Sequence, residues 1–260
     1  MGRSDWTAVQ RCVVMPMKHI LLGLPIALVW GLLGVAAQVQ QKPADPGLEA
    51  VLKKMDVASA GFRTTQAEFE WDRYERVIDE VDDVQTGTIY YRRTGKEIEM
   101  KADIKMAGSS SKDLKPEPKY VLFSGGKIQM YLPKPDQVTV CDLGKKTADF
   151  ESYLVLGFGG SGQDLVKAFD VTYLGRETVS GVATAELQLI PKSEKMRGTF
   201  KQMLLWINLD NGISVQQKFF DPQGDYRLTK YSSIQVNGKK IADDVFRLKT
   251  TSKTQFIPCG

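Results

Sequence analysis

Histidine is almost missing from this 260-residue sequence, in which the only one is His19. If the N-terminal segment that contains it is removed, no histidine remains for Ser-His-Asp or Cys-His catalysis, for a metal site or for a pH switch. A large charge of one sign is missing too, since 35 basic residues face 31 acidic ones. That balance argues against electrostatic capture of nucleic acid. We therefore expect no catalysis, no metal, no cofactor and no nucleic-acid partner.

Charge is also absent from one long stretch near the N-terminus, which runs from Ile20 to Ala37. Basic residues precede this apolar run, and small residues end it, with Val35 and Ala37 at the −3 and −1 positions of a cleavage site. These are the features of a secretory signal peptide. We predict a cleaved signal over residues 1–37. The alternative is an uncleaved anchor, because a run of about 18 apolar residues is just long enough to span a bilayer.

Cysteine is scarce, and removal of the signal leaves only Cys141 and Cys259. In an oxidising compartment these two can pair. The alternative is two free thiols, one in a strand and one in a frayed tail. The sequence favours the second, because residues 251–260 offer little to hold the chain end down and are expected to form a flexible tail.

What the chain does contain is a succession of short strands with a few helices. Residues 38–46 read as a polar linker, and Asp45-Pro46 begins an amphipathic helix that Gly61 ends. Strands follow at short intervals, among them a hairpin over residues 85–93 and 96–105. Residues 107–118 are expected to form a flexible loop, and Val245–Lys249 a last strand. About ten or eleven strands and three helices predict one antiparallel sheet with helices laid on it.

Two motifs need interpretation. Gly157–Gly162 matches the Gly-x-Gly-x-x-Gly pattern of dinucleotide sites, but it follows a predicted helix among antiparallel strands, so we interpret it as a hinge between two short helices. Arg93 shares a strand face with the apolar Ile89 and Tyr91. One interpretation is a side chain that extends to the sheet edge. The other is an arginine that binds backbone carbonyls of an overlying lid and opens when ligand enters.

The apolar faces of the three helices require a partner surface. A curved sheet with helices across its concave side would bury them and would leave a cavity suited to acyl chains, because each buried methylene contributes about 0.8 kcal/mol. An ordinary packed core is the alternative. Face and period select the residues expected to line the cavity and lid: Leu52, Met55, Tyr91, Ile98, Met100, Leu154, Phe158, Phe169 and Trp206.

Several local patterns occur in a characteristic order. They are the helix that ends near Gly61-Phe62, the strand Gly87-Thr88-Ile89-Tyr90-Tyr91-Arg92-Arg93, the hairpin Phe123-Ser124-Gly125-Gly126-Lys127 with Met130-Tyr131-Leu132-Pro133, and Asp244-Val245-Phe246-Arg247-Leu248. In this order the chain resembles the LolA-type periplasmic carriers of outer-membrane lipoproteins, over residues 47–250. The family's usual proline after the arginine is Thr94 here, and the aspartate of its Ser-Asp-Gly turn is Gly125.

The resemblance implies an unclosed antiparallel half-barrel with a three-helix lid over its concave face, and it assigns the lid-latching role to Arg93. It also implies a periplasmic carrier, acting as a monomer, that takes acylated lipoproteins from an inner-membrane ABC exporter to an outer-membrane acceptor. A lipid-binding sensor or regulator on the same fold is the alternative. A hydrolase with a non-histidine base and a plain structural module are further alternatives.

Overall fold

The computed structural model describes residues 45–259 with the exception of residue 96. The predicted signal peptide, residues 1–37, and residues 38–44 of the predicted linker lie outside the described part. Within that part, no helix is both long enough and apolar enough to cross a membrane.

A single twelve-stranded sheet forms the body of the protein, in the order β12-β6-β5-β4-β3-β2-β1-β11-β10-β9-β8-β7. Neighbouring strands are antiparallel except for β12, which runs parallel to β6. The edge strands β12 and β7 are not paired with each other, so the sheet does not close. The strands are Thr64–Glu75 (β1), Glu80–Thr94 (β2), Glu97–Gly108 (β3), Lys115–Ser124 (β4), Lys127–Leu132 (β5), Gln137–Asp142 (β6), Phe169–Val179 (β7), Val182–Pro191 (β8), Gln202–Asn208 (β9), Ser214–Phe220 (β10), Tyr226–Val236 (β11) and Gln255–Pro258 (β12).

Three helices lie on one face of this sheet, which we call the inner face. The side chain of Asp45 accepts hydrogen bonds from the backbone N–H groups of Gly47 and Leu48, so the predicted helix start is confirmed. The Ser161 hydroxyl accepts a hydrogen bond from the backbone N–H of Asp164 and caps another helix. The unclosed antiparallel sheet with three overlying helices is likewise the predicted fold. The helices are Pro46–Gly61 (α1), Thr147–Leu154 (α2) and Gly162–Ala168 (α3), and a one-turn helix, Glu194–Arg197 (α4), lies between β8 and β9.

Strand alternation divides the β2–β3 hairpin between the two faces of the sheet. Ile89 and Tyr91 on β2 and Ile98, Met100 and Ile104 on β3 are buried. They point to the inner face, as predicted, because residues two apart in a strand share a face. Register is maintained by direct pairs such as Tyr91 with Met100 and Arg93 with Ile98. The hairpin therefore brings Arg93 to the inner face at the end of β2.

The outer face is crossed by residues 241–248. Here the sequence expectation is wrong: instead of a closing strand over Val245–Lys249, residues Asp243–Phe246 form a 3-10 helix. Phe246 is buried against Leu122 and Ile241, and the Arg92 guanidinium lies 4.3 Å from its ring centroid. The apolar residues of this segment pack on the sheet as a strap rather than pair with it, which strand-like alternation does not reveal.

The predicted loop over residues 107–118 is shorter than expected. Strand β3 continues to Gly108, and β4 begins at Lys115 and includes Pro116 and Pro118. Pairing between Met106 and Pro116 extends the hairpin. Both prolines fall in the N-terminal half of β4, the kind of position at which a strand tolerates a missing N–H.

The C-terminal segment also departs from the sequence expectation of a flexible tail. Strand β12 pairs with β6, and a disulfide joins Cys141 to Cys259 with a Cα–Cα distance of 5.1 Å. Before the strand, the hydroxyls of Thr251 and Thr254 both donate to the Asp136 carboxylate at 2.6 Å. These hydrogen bonds lower the pKa of Asp136. Three separate contacts therefore hold a segment whose own sequence contains little to order it.

Candidate functional site

A cavity of about 460 Å³ lies between the helices and the tip of the β2–β3 hairpin. Its apolar wall includes Met55 of α1, Ile98 of β3, Leu165 of α3 and Phe169 at the start of β7. Its polar groups include Arg93, Glu151 and Asp164. Burial and the nearby Glu97 raise the pKa of Glu151. Apolar walls combined with a small set of polar groups are typical of sites that bind small molecules.

Arg93 connects the sheet to the helices above it. Its Nη2 donates to the carbonyl oxygen of Gly159 at 2.8 Å, and its Nη1 donates to that of Ser59 at 3.1 Å. The guanidinium carbon also lies 5.3 Å from the ring centroid of Phe62. Desolvation, together with the nearby Arg63, lowers the pKa of Arg93. The predicted hydrogen bonds from this arginine to lid carbonyls are present, so Arg93 joins α1 and the loop after α2 to strand β2.

That loop, residues 155–161, is called the lid loop below. It contains the predicted glycine-rich hinge and connects α2 to α3. Gly157 and Gly159 have φ angles of 78° and 124°, which only glycine adopts readily. A side chain at Gly159 would also come within 2.8 Å of the Phe62 ring. The two glycines allow the chain to turn sharply on either side of Phe158.

Phe158 fills the space beneath the lid loop. It is fully buried, its ring stacks on Tyr91 at 5.2 Å, and it meets Tyr231 edge-on at 4.5 Å. Burial raises the pKa of both tyrosines well above the ordinary value. An aromatic side chain carried on a glycine-flanked loop therefore occupies the apolar interior of the half-barrel.

The structure distributes the predicted cavity residues among three places. The cavity itself is lined by Met55, Arg93, Ile98 and Phe169. The core beneath the lid loop contains Tyr91, Met100 and Phe158, with Leu154 packed against it. Leu52 packs against the neighbouring core formed by α1, α3 and strands β7 to β9. All of these residues thus lie on the inner face or in the lid; whether they bind ligand is a proposal.

Trp206 is the exception, and its placement corrects the sequence prediction. In β9, Met203, Leu205 and Ile207 belong to the inner core, so Trp206 points to the outer face. There its Nε1 donates to the Glu177 carboxylate at 2.6 Å. The segment is apolar at successive positions, and period-two alternation cannot assign a face to such a run.

Sequence reasoning missed the polar groups that hold the lid loop from the other side. Gln217 is buried, and its Nε2 donates to the carbonyl oxygen of Leu156 at 2.5 Å. The backbone N–H of Ser214 donates to the carbonyl of Gly157 at 2.8 Å. A glutamine in an alternating strand reads as solvent-facing, and no residue pattern marks it as a partner of a distant loop.

Gly162 controls how closely α1 and α3 approach. A Cβ atom there would lie 2.5 Å from the carbonyl oxygen and 2.7 Å from the Cα of Leu52. These are backbone atoms of α1, so Gly162→Ala must push the two helices apart. We expect the variant to lose about 1–3 kcal/mol in free energy of unfolding, measured by urea denaturation. Gly61→Ala, where a Cβ meets nothing within 4 Å, is the matched control and should be close to neutral. Equal stabilities for the two variants would contradict the close packing.

Among residues 45–259 apart from residue 96, no cluster of three or more histidine, cysteine, aspartate or glutamate residues could hold a metal ion. The chain matches no protein-family model, and it matches no curated protein. Similar solved structures exist. One is an uncharacterised conserved protein from Thermus thermophilus, 10% identical, which covers 81% of this chain and 98% of its own, with a TM-score of 0.49.

A second similar structure is MucB, 13% identical with a TM-score of 0.49, where the match covers 82% of this chain and 66% of that one. A third is a LolA superfamily protein from Nitrosomonas europaea, 13% identical with a TM-score of 0.37, covering 77% of this chain and 97% of that one.

Proposed function

We propose that this protein is an exported carrier that binds the acyl chains of lipoproteins beneath its lid, without catalysis. The observation that carries the proposal is the arginine bridge from Arg93 to Ser59 and Gly159 at the rim of the cavity. It joins a rigid sheet to a hinged lid by hydrogen bonds to backbone carbonyls, and such bonds can break and re-form as the lid moves.

The apolar part of the cavity offers contact surface to an acyl chain. Met55, Ile98, Leu165 and Phe169 provide apolar surface, and burying each methylene against such surface contributes about 0.8 kcal/mol. The charged side chains of the lining lie on helices α2 and α3 and at the end of β2, where they can face the polar part of the ligand. They are Glu151, Asp164 and Arg93. Opening of the lid loop would withdraw Phe158 and add its volume to the cavity.

These contacts support the following carrier cycle. In the closed state, Phe158 fills the interior and Arg93 holds the lid loop, so the interior is packed even when no acyl chain is bound. An incoming acyl chain takes the place of Phe158, and the arginine bridge breaks. Re-formation of the bridge then favours release of the acyl chain. In the periplasm, the protein can therefore receive its cargo from an inner-membrane ABC exporter and pass it to an outer-membrane acceptor.

A release assay tests this function. Mature protein, residues 38–260, is added to spheroplasts that make a tagged lipoprotein, and the soluble fraction is examined for an acylated one-to-one complex. Release that depends on the protein supports the carrier. Binding of a fluorescent fatty acid without any release would instead indicate the lipid-binding regulator. If the protein shows neither release nor fatty-acid binding, both the carrier and the regulator are refuted.

Substitution of Arg93 by leucine should slow cargo release far more than it weakens the fold. Each hydrogen bond from a charged group contributes about 1.5–3 kcal/mol, so loss of the bridge should favour the open, loaded form by about tenfold or more. The measurement is the rate at which a loaded complex passes a fluorescent acyl probe to acceptor vesicles.

The matched control is Arg92→Leu. Arg92 is the adjacent residue, but it faces outward and pairs with Glu99 and Asp243. It should leave the transfer rate unchanged. A collapse in thermal stability for Arg93→Leu, with no separate effect on release, would assign Arg93 a structural role only.

A further inference from the structure

The lid loop is held on two sides, and only one of them is the arginine bridge. Arg93 lies on β2, whereas Gln217 and Ser214 lie on β10, and strands β1 and β11 separate these two in the sheet. Phe158 sits between the two attachments, packed on Tyr91 and Tyr231. Attachment from one side alone would leave the other end of the loop free to lift.

The geometry around Gln217 is that of a fixed donor. Its Oε1 accepts a hydrogen bond from the Tyr231 hydroxyl at 3.3 Å, which orients the amide so that Nε2 faces the Leu156 carbonyl. Tyr231 also packs edge-on against Phe158. The glutamine therefore connects the aromatic core beneath the lid loop to the backbone of that loop.

The loop side of this contact is equally constrained. A Cβ at Gly157 would lie 2.3 Å from the Ser214 Cβ and 3.0 Å from the Gln217 Nε2, so only glycine lets the loop approach β10 this closely. The loop is also tied to itself, since the N–H groups of Phe158 and Gly160 both donate to the Val155 carbonyl, at 3.0 and 2.8 Å. Hydrogen bonds within so short a loop protect these two amides from exchange only while the loop is held against the sheet.

We propose that Gln217 is a second latch, a positioning residue opposite Arg93, and that lid opening requires release of both. The inference deepens the proposed function and rests on it in one respect, namely that ligand enters by lifting the lid loop. The attachment itself is a property of the empty protein. A buried donor that loses its acceptor carries a free-energy cost, so the two latches together set how rarely the lid opens.

Hydrogen–deuterium exchange of the ligand-free protein tests the proposal. In Gln217→Met, which keeps the side-chain length but removes the donor, exchange at the amides of both Phe158 and Gly160 should be about tenfold faster. Gln216→Met is the matched control. Gln216 is the neighbouring glutamine, but it lies on the opposite face of the strand, where it pairs with Trp206. It should leave both rates unchanged. Acceleration confined to Leu156, or no acceleration beyond the control, would overturn the proposal.

A second variant protects the test from a general loss of folding. Tyr231→Phe retains the ring that packs on Phe158 but removes the hydroxyl that orients Gln217, so we expect about threefold faster exchange at the same two amides. If neither variant alters those amides while strand amides stay protected, the second latch does not exist.

Association of a fluorescent fatty acid separates this inference from the proposed function. A faster association rate in Gln217→Met, by about tenfold, supports both. Failure of the wild-type protein to bind the probe would refute the proposed function while the exchange result still decides the latch. Unchanged association, despite faster exchange, would show that ligand enters by a route other than the lid loop and would overturn the latch as a gate.

Discussion

Replacement of Cys259 by serine should lower the free energy of unfolding by about 4–5 kcal/mol, because the disulfide to Cys141 closes a sequence separation of 118 residues. Cys259 is the appropriate partner to change, since Cys141 is buried in the core and a hydroxyl there would add a second penalty. The strand that the disulfide anchors buries little of its own, as Phe256 and Ile257 are exposed. The disulfide, the pairing with β6 and the hydrogen bonds to Asp136 therefore hold β12, with little help from burial of its own side chains.

Urea denaturation in the presence and absence of a reductant measures this effect. The wild-type midpoint should fall on reduction to that of Cys259→Ser, whose own midpoint should not respond to the reductant. Equal midpoints for oxidised and reduced wild-type protein would contradict the prediction. Native-state hydrogen exchange should place the loss in β12 and β6 first, because those strands meet at the edge that the disulfide closes.

Substitution of Phe158 by alanine should weaken the fold and strengthen ligand binding together. Loss of a fully buried phenylalanine typically costs about 3–5 kcal/mol. Phe158 packs against Tyr91 and Tyr231, and in the proposed cycle an acyl chain displaces it from these contacts. The variant has no such competitor, so its affinity for a fluorescent fatty acid should rise by about tenfold or more, since each 1.4 kcal/mol is a factor of ten.

Phe123→Ala is the matched control for this prediction. Phe123 is also fully buried in the same core, but it stands on strand β4 and packs on Phe150 rather than on the lid loop. It should lose comparable stability without a gain in affinity. A fall in affinity for Phe158→Ala would show that Phe158 contacts bound ligand and does not compete with it.

The sequence indicated the inner face well where strands alternate cleanly. Strand boundaries are also marked locally, since Gly125-Gly126 directly precedes β5 and Asn211-Gly212 lies just before β10. The position of Arg93 on the inner face followed from the alternation of Ile89 and Tyr91. Lid carbonyls were one of the two interpretations that this position left open, because a buried guanidinium requires acceptors.

What the sequence missed depends on contacts between distant segments. Trp206 lies in a run that is apolar on both faces, so its face is decided by the pairing of β9 with its neighbours. Strand β12 is ordered by a disulfide and by Asp136, which are far away in the chain. Gln217 acquires its role from a loop that lies well before it in the chain, at a sequence separation of 61. Local periodicity contains no information about such partners.

The central claim is that acyl chains lie beneath the lid, and photo-crosslinking tests it most directly. Mature protein is mixed with a fatty acid that carries a diazirine on its chain, and the complex is irradiated. The modified residues are then identified by mass spectrometry. We expect crosslinks at Met55, Ile98 and Phe169, which line the cavity, and at Tyr91 and Tyr231, which surround the space that Phe158 leaves. We expect none at Trp206 on the outer face. Crosslinks at Trp206 or on the strap over residues 241–248, with none in the cavity, would contradict it.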